Sequence, residues 1–125
     1  IIDRDPKNAT ALNALGYSLA NLSSRLDEAE QLVKRALEIE PDDPAIIDSY
    51  GWIMLLKGNL NEAVLLLERA FKQTQDHEIA AHFGEALWLT GDKERAKAVW
   101  KAGLQDTPNS PIILDTLRKL NLFNE

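Results

Sequence analysis

The chain has no cysteine, no long apolar run and no surplus of basic charge, and each absence closes off a class of function. Without cysteine there are no disulfides, iron–sulfur clusters, thiolate zinc sites or Cys nucleophile. A Cys-free chain suits cytosol and periplasm alike. No apolar run approaches the roughly 18 to 20 residues that a membrane-spanning helix needs. Lys and Arg number 14 against 20 Asp and Glu, a formal charge of −6. Such a balance argues against binding a nucleic-acid backbone. What remains is an ordinary soluble composition, 45% apolar and 27% charged over 125 residues, enough for one core and too little for two. No signal peptide, lipidation motif or low-complexity tail is visible. The chain opens in mid-pattern at Ile1-Ile2-Asp3. A targeting sequence is therefore expected to have been cut away with the rest of a longer parent.

A period runs through the chain. Gly16, Gly51 and Gly84 are separated by 35 and 33 residues. Ala29, Ala63 and Ala96 step by 34 and 33, as do Ala36, Ala70 and Gly103, and Pro41, Gln75 and Pro108. Four columns marching together define three units, 9–43, 44–76 and 77–109. Each unit reads as two helices. First helices are expected at about Thr10–Asn21, Ala45–Lys57 and Glu78–Thr90, and second helices at about Leu26–Glu40, Leu60–Thr74 and Lys93–Asp106. Gly58 and Gly91 suit helix C-caps, Asn59 and Asp92 suit N-caps, and Asn59 with Glu62 spells a capping box. Nothing reads as a strand.

The mid-helix glycines need a reason, because each costs about 1 kcal/mol against Ala. The expected reason is close approach of the paired helices, with each Gly facing Ala29, Ala63 or Ala96 of its partner. One pair cannot bury its own apolar face, so pairs must stack. Ile1–Pro6 reads as the tail of an earlier unit, which assigns 1–8 outside the first repeat. Pro111–Asn121 reads as a lone seventh helix with Ile113, Leu114, Leu117 and Leu120 on one stripe, a cap over 110–125. The face of the first pair that met the missing unit is expected to be exposed and prone to self-association.

Chemistry is hard to find. His77-Glu78-Ile79-Ala80-Ala81-His82 resembles a zinc-protease motif, but its histidines are five apart, not four. That places them about 140° apart around a helix, with His77 expected to precede it. There is no glycine-rich phosphate loop and no nucleophile elbow. Carboxylates such as Glu28, Glu30, Glu38 and Glu40 read as solvated faces. No enzyme, metal or cofactor is expected.

The columns resemble the tetratricopeptide repeat (TPR) signature. Leu12-x2-Leu15-Gly16-x2-Leu19, then Ala29-x3-Val33, Ala36 and Pro41, match it. So do Ile47-x2-Tyr50-Gly51-x2-Met54 with Ala63-x3-Leu67 and Ala70, and Ala80-x2-Phe83-Gly84-x2-Leu87 with Ala96-x3-Trp100, Gly103 and Pro108. The resemblance implies an all-α, right-handed α-solenoid of three helix pairs plus a C-terminal capping helix. It also implies a non-catalytic scaffold or adaptor that binds a partner peptide or helix in its concave groove. Carried over position by position, the groove residues are Asn13, Tyr17, Asn21, Asp48, Trp52, Leu55, Leu56, His82, Glu85, Trp88 and Leu89. Trp52 and Trp88 are expected to stand open as anchors, or else to fold down as core. A structural cap of a longer solenoid, binding elsewhere, is the alternative function. The Lys and Arg residues that clamp a partner's terminal carboxylate in one TPR class are missing here. Their places hold Asn13, Tyr17, Ser49, Glu78 and His82. Such a groove suits an apolar or weakly basic segment. Runs such as Ala11–Ala20 and Pro41–Trp52 also resemble the C-terminal repeats of large proteobacterial TPR proteins, some of them outer-membrane lipoproteins. That likeness implies a lipid-anchored parent on the periplasmic side of a bacterial envelope, with a cytoplasmic protein as the alternative. It implies no direct membrane insertion by this segment.

Overall fold

A computed structural model of the chain describes residues 6–122. Among these residues there are seven α-helices and no strand. They are α1 (Pro6–Ala20), α2 (Leu26–Ile39), α3 (Pro44–Leu56), α4 (Leu60–Gln73), α5 (His77–Leu89), α6 (Lys93–Asp106) and α7 (Pro111–Lys119), with a single 3-10 turn at Ser23–Arg25. The expected helices are all present; most ends move by one or two residues, and two starts bear on the reading. Helix α1 begins at Pro6, four residues before Thr10. Proline suits a first helical turn, where its missing N–H has no partner to lose, and Ala9 is buried, which anchors the extra turn. Helix α5 includes His77 as its first residue. Ile1 and Ile2, which suggested an earlier unit, lie outside the described residues.

Helix starts are fixed by short polar side chains. Asp43 accepts the Ala45 amide at 2.9 Å and Asp76 accepts the Glu78 amide at 3.0 Å. Ser110 accepts the Ile113 amide at 3.3 Å. Each satisfies an N-terminal donor that has no partner within the helix. Asn59 and Asp92 occupy their expected cap positions but make no side-chain cap bond, so the capping box with Glu62 does not form. The Asn59 amide turns to the Met54 sulfur instead, at 3.7 Å. Gly58 and Gly91 do adopt positive φ, +85° and +97°, and carry the chain out of α3 and α5.

Helices α1 and α2, α3 and α4, and α5 and α6 form three closely packed pairs. The first helices also approach one another in series, α1 to α3, α3 to α5 and α5 to α7, whereas α2, α4 and α6 do not. The layer whose members approach more closely is the inside of a curve. Helices α1, α3, α5 and α7 therefore form the concave layer, and α2, α4 and α6 the convex one. Ile53, Leu67, Phe83 and Ile113 are fully or almost fully buried between the layers. Each such side chain contributes roughly 1.5–3 kcal/mol.

The glycine column works differently from the expectation. A Cβ on Gly16 would lie 2.7 Å from Val33, and one on Gly51 would lie 2.7 Å from Leu67. On Gly84 it would run into the Trp100 indole. The glycines thus accommodate large side chains of the paired helix, not the small Ala column. Ala29, Ala63 and Ala96 are wholly buried beside them. A knob seated over a glycine gains dispersion contacts that a small–small pairing lacks.

Candidate functional site

The N-cap residues Asp43, Asp76 and Ser110 put α3, α5 and α7 in one register. In that register Tyr17, Trp52, Glu85 and Lys119 occupy a single position on four successive concave helices. Their side chains are linked. Lys119 Nζ lies 2.8 Å from Glu85 Oε1 and 5.3 Å above the Trp52 ring. Trp52 stacks on His82 with centroids 4.3 Å apart and donates its indole N–H to Asn21 Oδ1 at 3.2 Å. His82 Nδ1 lies 2.9 Å from Asp48 Oδ1, and its Nε2 faces the Tyr17 hydroxyl at 3.3 Å. A carboxylate can only accept, so the Nδ1 edge of the imidazole donates to Asp48. Burial, reinforced by the charges of Asp48 and Glu78, pushes the Tyr17 hydroxyl up to about 12.

Helix α7 therefore closes the C-terminal half of the concave face. A small hollow of about 200 Å³ lies there, between Tyr17, Trp52 and His82 on one side and Ile112, Thr116 and Lys119 on the other. The N-terminal half is open. A cleft of about 420 Å³ runs between α1, α3 and the start of α5, its lining including Asn13, Tyr17, Asp48, Ser49, Thr74, Asp76, Glu78 and Ile79. Its charged lining groups are all carboxylates. The Asn13 carbonyl oxygen is buried and accepts no hydrogen bond among the described residues. The cleft is thus rich in acceptors and poor in donors.

A family model described as tetratricopeptide repeat matches residues 20–82. The chain belongs to the tetratricopeptide repeat family. TPR units are generally protein–protein interaction modules. A TPR repeat-containing protein of Pseudomonas aeruginosa is 51% identical over 85 residues, covering 68% of this chain and 14% of that protein. Human tetratricopeptide repeat protein 7A is 32% identical over 96 residues, covering 76% of this chain and 11% of its own length. The chain thus spans only a small part of the curated relatives it matches. Among solved structures, a mutant of MamA superposes with a TM-score of 0.63 at 19% identity, covering 91% of this chain and 69% of that one. This likeness shows the fold, an α-solenoid of TPR pairs.

The expected groove residues divide into three sets. Asn13, Tyr17 and Asp48 line the open cleft. Asn21, Trp52, His82 and Glu85 join them through the linked side chains but belong to the closed half, so Trp52 does not stand open. It is 9% exposed, because α7 leans over it and His82 lies beneath it. The remaining four are not brought to the groove. Leu55 is core. Leu56 lies beside Arg25, Asp27 and Lys57 in a separate surface depression. Leu89 is exposed at the end of α5. Trp88 is half-buried against Trp100, centroids 5.9 Å apart, with Lys93 over its ring. The two histidines occupy unrelated settings, His82 on Asp48 and His77 on the Ser110 hydroxyl at 2.6 Å. Sequence reasoning missed Thr74 and Asp76, which come from a loop, and Lys119, whose place in the Tyr17 column becomes visible once α7 is aligned as a first helix.

Proposed function

We propose that this TPR segment is a non-catalytic scaffold module that takes a partner segment in the open half of its concave face. The observation that carries this reading is the cleft beside Asn13, Tyr17 and Asp48, with its unused amide acceptor and its three carboxylates. Such a lining suits an extended or helical segment that brings N–H donors and a Lys or Arg side chain. It repels a terminal carboxylate, so amidation of the partner's C-terminus leaves affinity unchanged. The test compares wild type with an Asn13→Arg, Glu78→Lys variant matched by circular dichroism. Both are immobilised, exposed to an extract of the source organism and eluted for mass spectrometry. A partner retained by wild type and lost by the variant supports the cleft; identical eluates refute it.

A second reading, a structural cap of a longer array, is favoured by one feature of α7. Aligned on its N-cap, it carries Arg118 in the column of Gly16, Gly51 and Gly84. Those glycines admit a paired second helix; an arginine does not. Capping and binding are compatible, since they use opposite halves of the concave face. At the other end Leu15 is 52% exposed, while its equivalents Tyr50 and Phe83 pack against the preceding pair. This favours either a preceding TPR pair of the parent protein or self-association through that face. Dilution in analytical ultracentrifugation distinguishes them, because only self-association dissociates. Among the described residues no helix is long and apolar enough to cross a membrane. We place the parent on the periplasmic side of a bacterial envelope by resemblance alone, and cell fractionation tests it.

A further inference from the structure

A second groove opens between α6 and α7 on the outer side of the last pair. It has a volume of about 360 Å³ and is lined by Lys97, Trp100, Lys101, Leu104, Gln105 and Leu117. It exists because α7 makes more of its contacts with α5 than with α6. Its counterpart one pair earlier is formed by Leu67, Phe71 and Phe83, and that one is covered. The rings of Phe71 and Phe83 pack 5.6 Å apart, and Arg95 of α6 lies 5.2 Å over Phe83. Arg95 is held there by an ion pair with Glu68 of α4.

The second junction supplies a precedent for charge at this groove. Lys34, Glu68 and Lys101 form one column on the second helices, at steps of 34 and 33. The covering residue comes from the next second helix, at the Glu62 and Arg95 column, a step of 33. At the first junction Lys34 pairs with Glu30 of its own helix, at 3.2 Å. At the second, Glu68 meets Arg95. The second junction thus sets opposite signs against each other across successive second helices. At the third, Lys101 has no carboxylate paired with it among the described residues. The Arg118 side chain stands where a glycine would admit a covering helix. Lys97 adds a second positive charge to the rim, its contact with exposed Glu94 being long at 3.9 Å. These lysines sit on a chain of formal charge −6.

We propose that the α6–α7 groove docks an amphipathic helix of a partner protein. Its apolar stripe lies against the half-buried Leu104 and Leu117, above the buried Trp100 that floors the groove, and a carboxylate beside that stripe meets Lys101. This surface is separate from the concave cleft, so a segment in the cleft and a helix on α6 can be held together.

The test is selection from a displayed library of stapled helical peptides with a fixed apolar stripe and Glu, Gln or Lys at the flanking positions. Wild type should enrich Glu over Lys by about tenfold or more, the scale of one favourable charge contact exchanged for one repulsive one. A Lys97→Glu, Lys101→Glu variant should invert the preference. Gln105→Trp, which fills the groove from an exposed position, should abolish enrichment. The Asn13→Arg, Glu78→Lys cleft variant should leave it intact. Far-UV circular dichroism confirms that each variant is folded. The proposal is overturned if no peptide is enriched, if enrichment ignores flanking charge, or if the preference survives the double charge reversal. Binding of wild type but not the charge variant to phosphatidylglycerol vesicles, with no peptide enriched, would overturn it in favour of a lipid surface.

Discussion

Replacing Lys119 by Met tests whether one ion pair holds the C-terminal helix across the concave face. Lys119 Nζ sits 2.8 Å from Glu85 Oε1, and the side chains are 52% and 7% exposed. The partners are therefore unequal. Removing the lysine leaves a carboxylate buried without its counter-charge. Breaking a fully buried pair in this way costs about 3–5 kcal/mol. Water reaches the lysine, so a smaller loss of roughly 1–2 kcal/mol applies here. The contact of the ammonium with the Trp52 ring adds roughly 0.5–1 kcal/mol. Methionine keeps the apolar stem, so packing changes little. Lys119→Met should cost about 2 kcal/mol in urea denaturation, followed by tryptophan fluorescence and circular dichroism. Adding Glu85→Gln should recover most of that loss, because the amide carries no charge to strand. The reasoning fails if the single variant lies within about 0.5 kcal/mol of wild type, the usual range for an exposed substitution. It also fails if the two substitutions are simply additive.

Two further outcomes follow from particular contacts. Gly84→Ala should destabilise by about 1–2 kcal/mol, since overpacking against Trp100 outweighs the helix-propensity gain; Trp100→Leu in the same chain should remove the penalty, read as thermal midpoints. Tyr17 is pushed up to about 12 by burial and by Asp48 and Glu78, and burial also raises Tyr50. A folded value above the unfolded value near 10 means that the native chain holds its proton more tightly. The Tyr17 contribution to stability is therefore complete below about pH 10 and is lost as pH rises toward 12. Tyrosinate absorbance of Tyr50→Phe should show a late midpoint in buffer and an ordinary one in urea; an ordinary midpoint in both would refute the assignment.

The period of the chain was legible because solenoid geometry repeats at the level of single residues. Gly58 and Gly91 mark helix ends through backbone conformation, and Pro44 and Pro111 mark helix starts, all from local sterics. What lay beyond local rules was direction. The glycine column was read as facing alanines, yet the residues seated over it are Val33, Leu67 and Trp100. Spacing alone does not say which of two neighbouring columns projects into a notch. Trp52 shows the same limit at the site. It was expected to stand open in the groove, but its burial depends on the tilt of α7, a tertiary property. The Asn59 capping box failed for a smaller reason, an amide drawn to the Met54 sulfur.

One column links the closed half of the concave face to its open cleft. Here the Tyr17 position becomes tryptophan, then glutamate, then lysine along the chain. Each of the last three needs another: the lysine neutralises the glutamate and covers the indole, and the indole stacks on His82. His82 in turn fixes Asp48 and reaches Tyr17. Closure of the C-terminal half thus orients the two side chains, Tyr17 and Asp48, that also border the open cleft. A variant that releases α7 should therefore weaken partner binding at the N-terminal half without touching it. Lys119→Met is that variant, and its effect on affinity should be partial and restored by Glu85→Gln. If affinity stays at the wild-type level while α7 amides exchange faster, the two halves are independent and the column serves only to end the array.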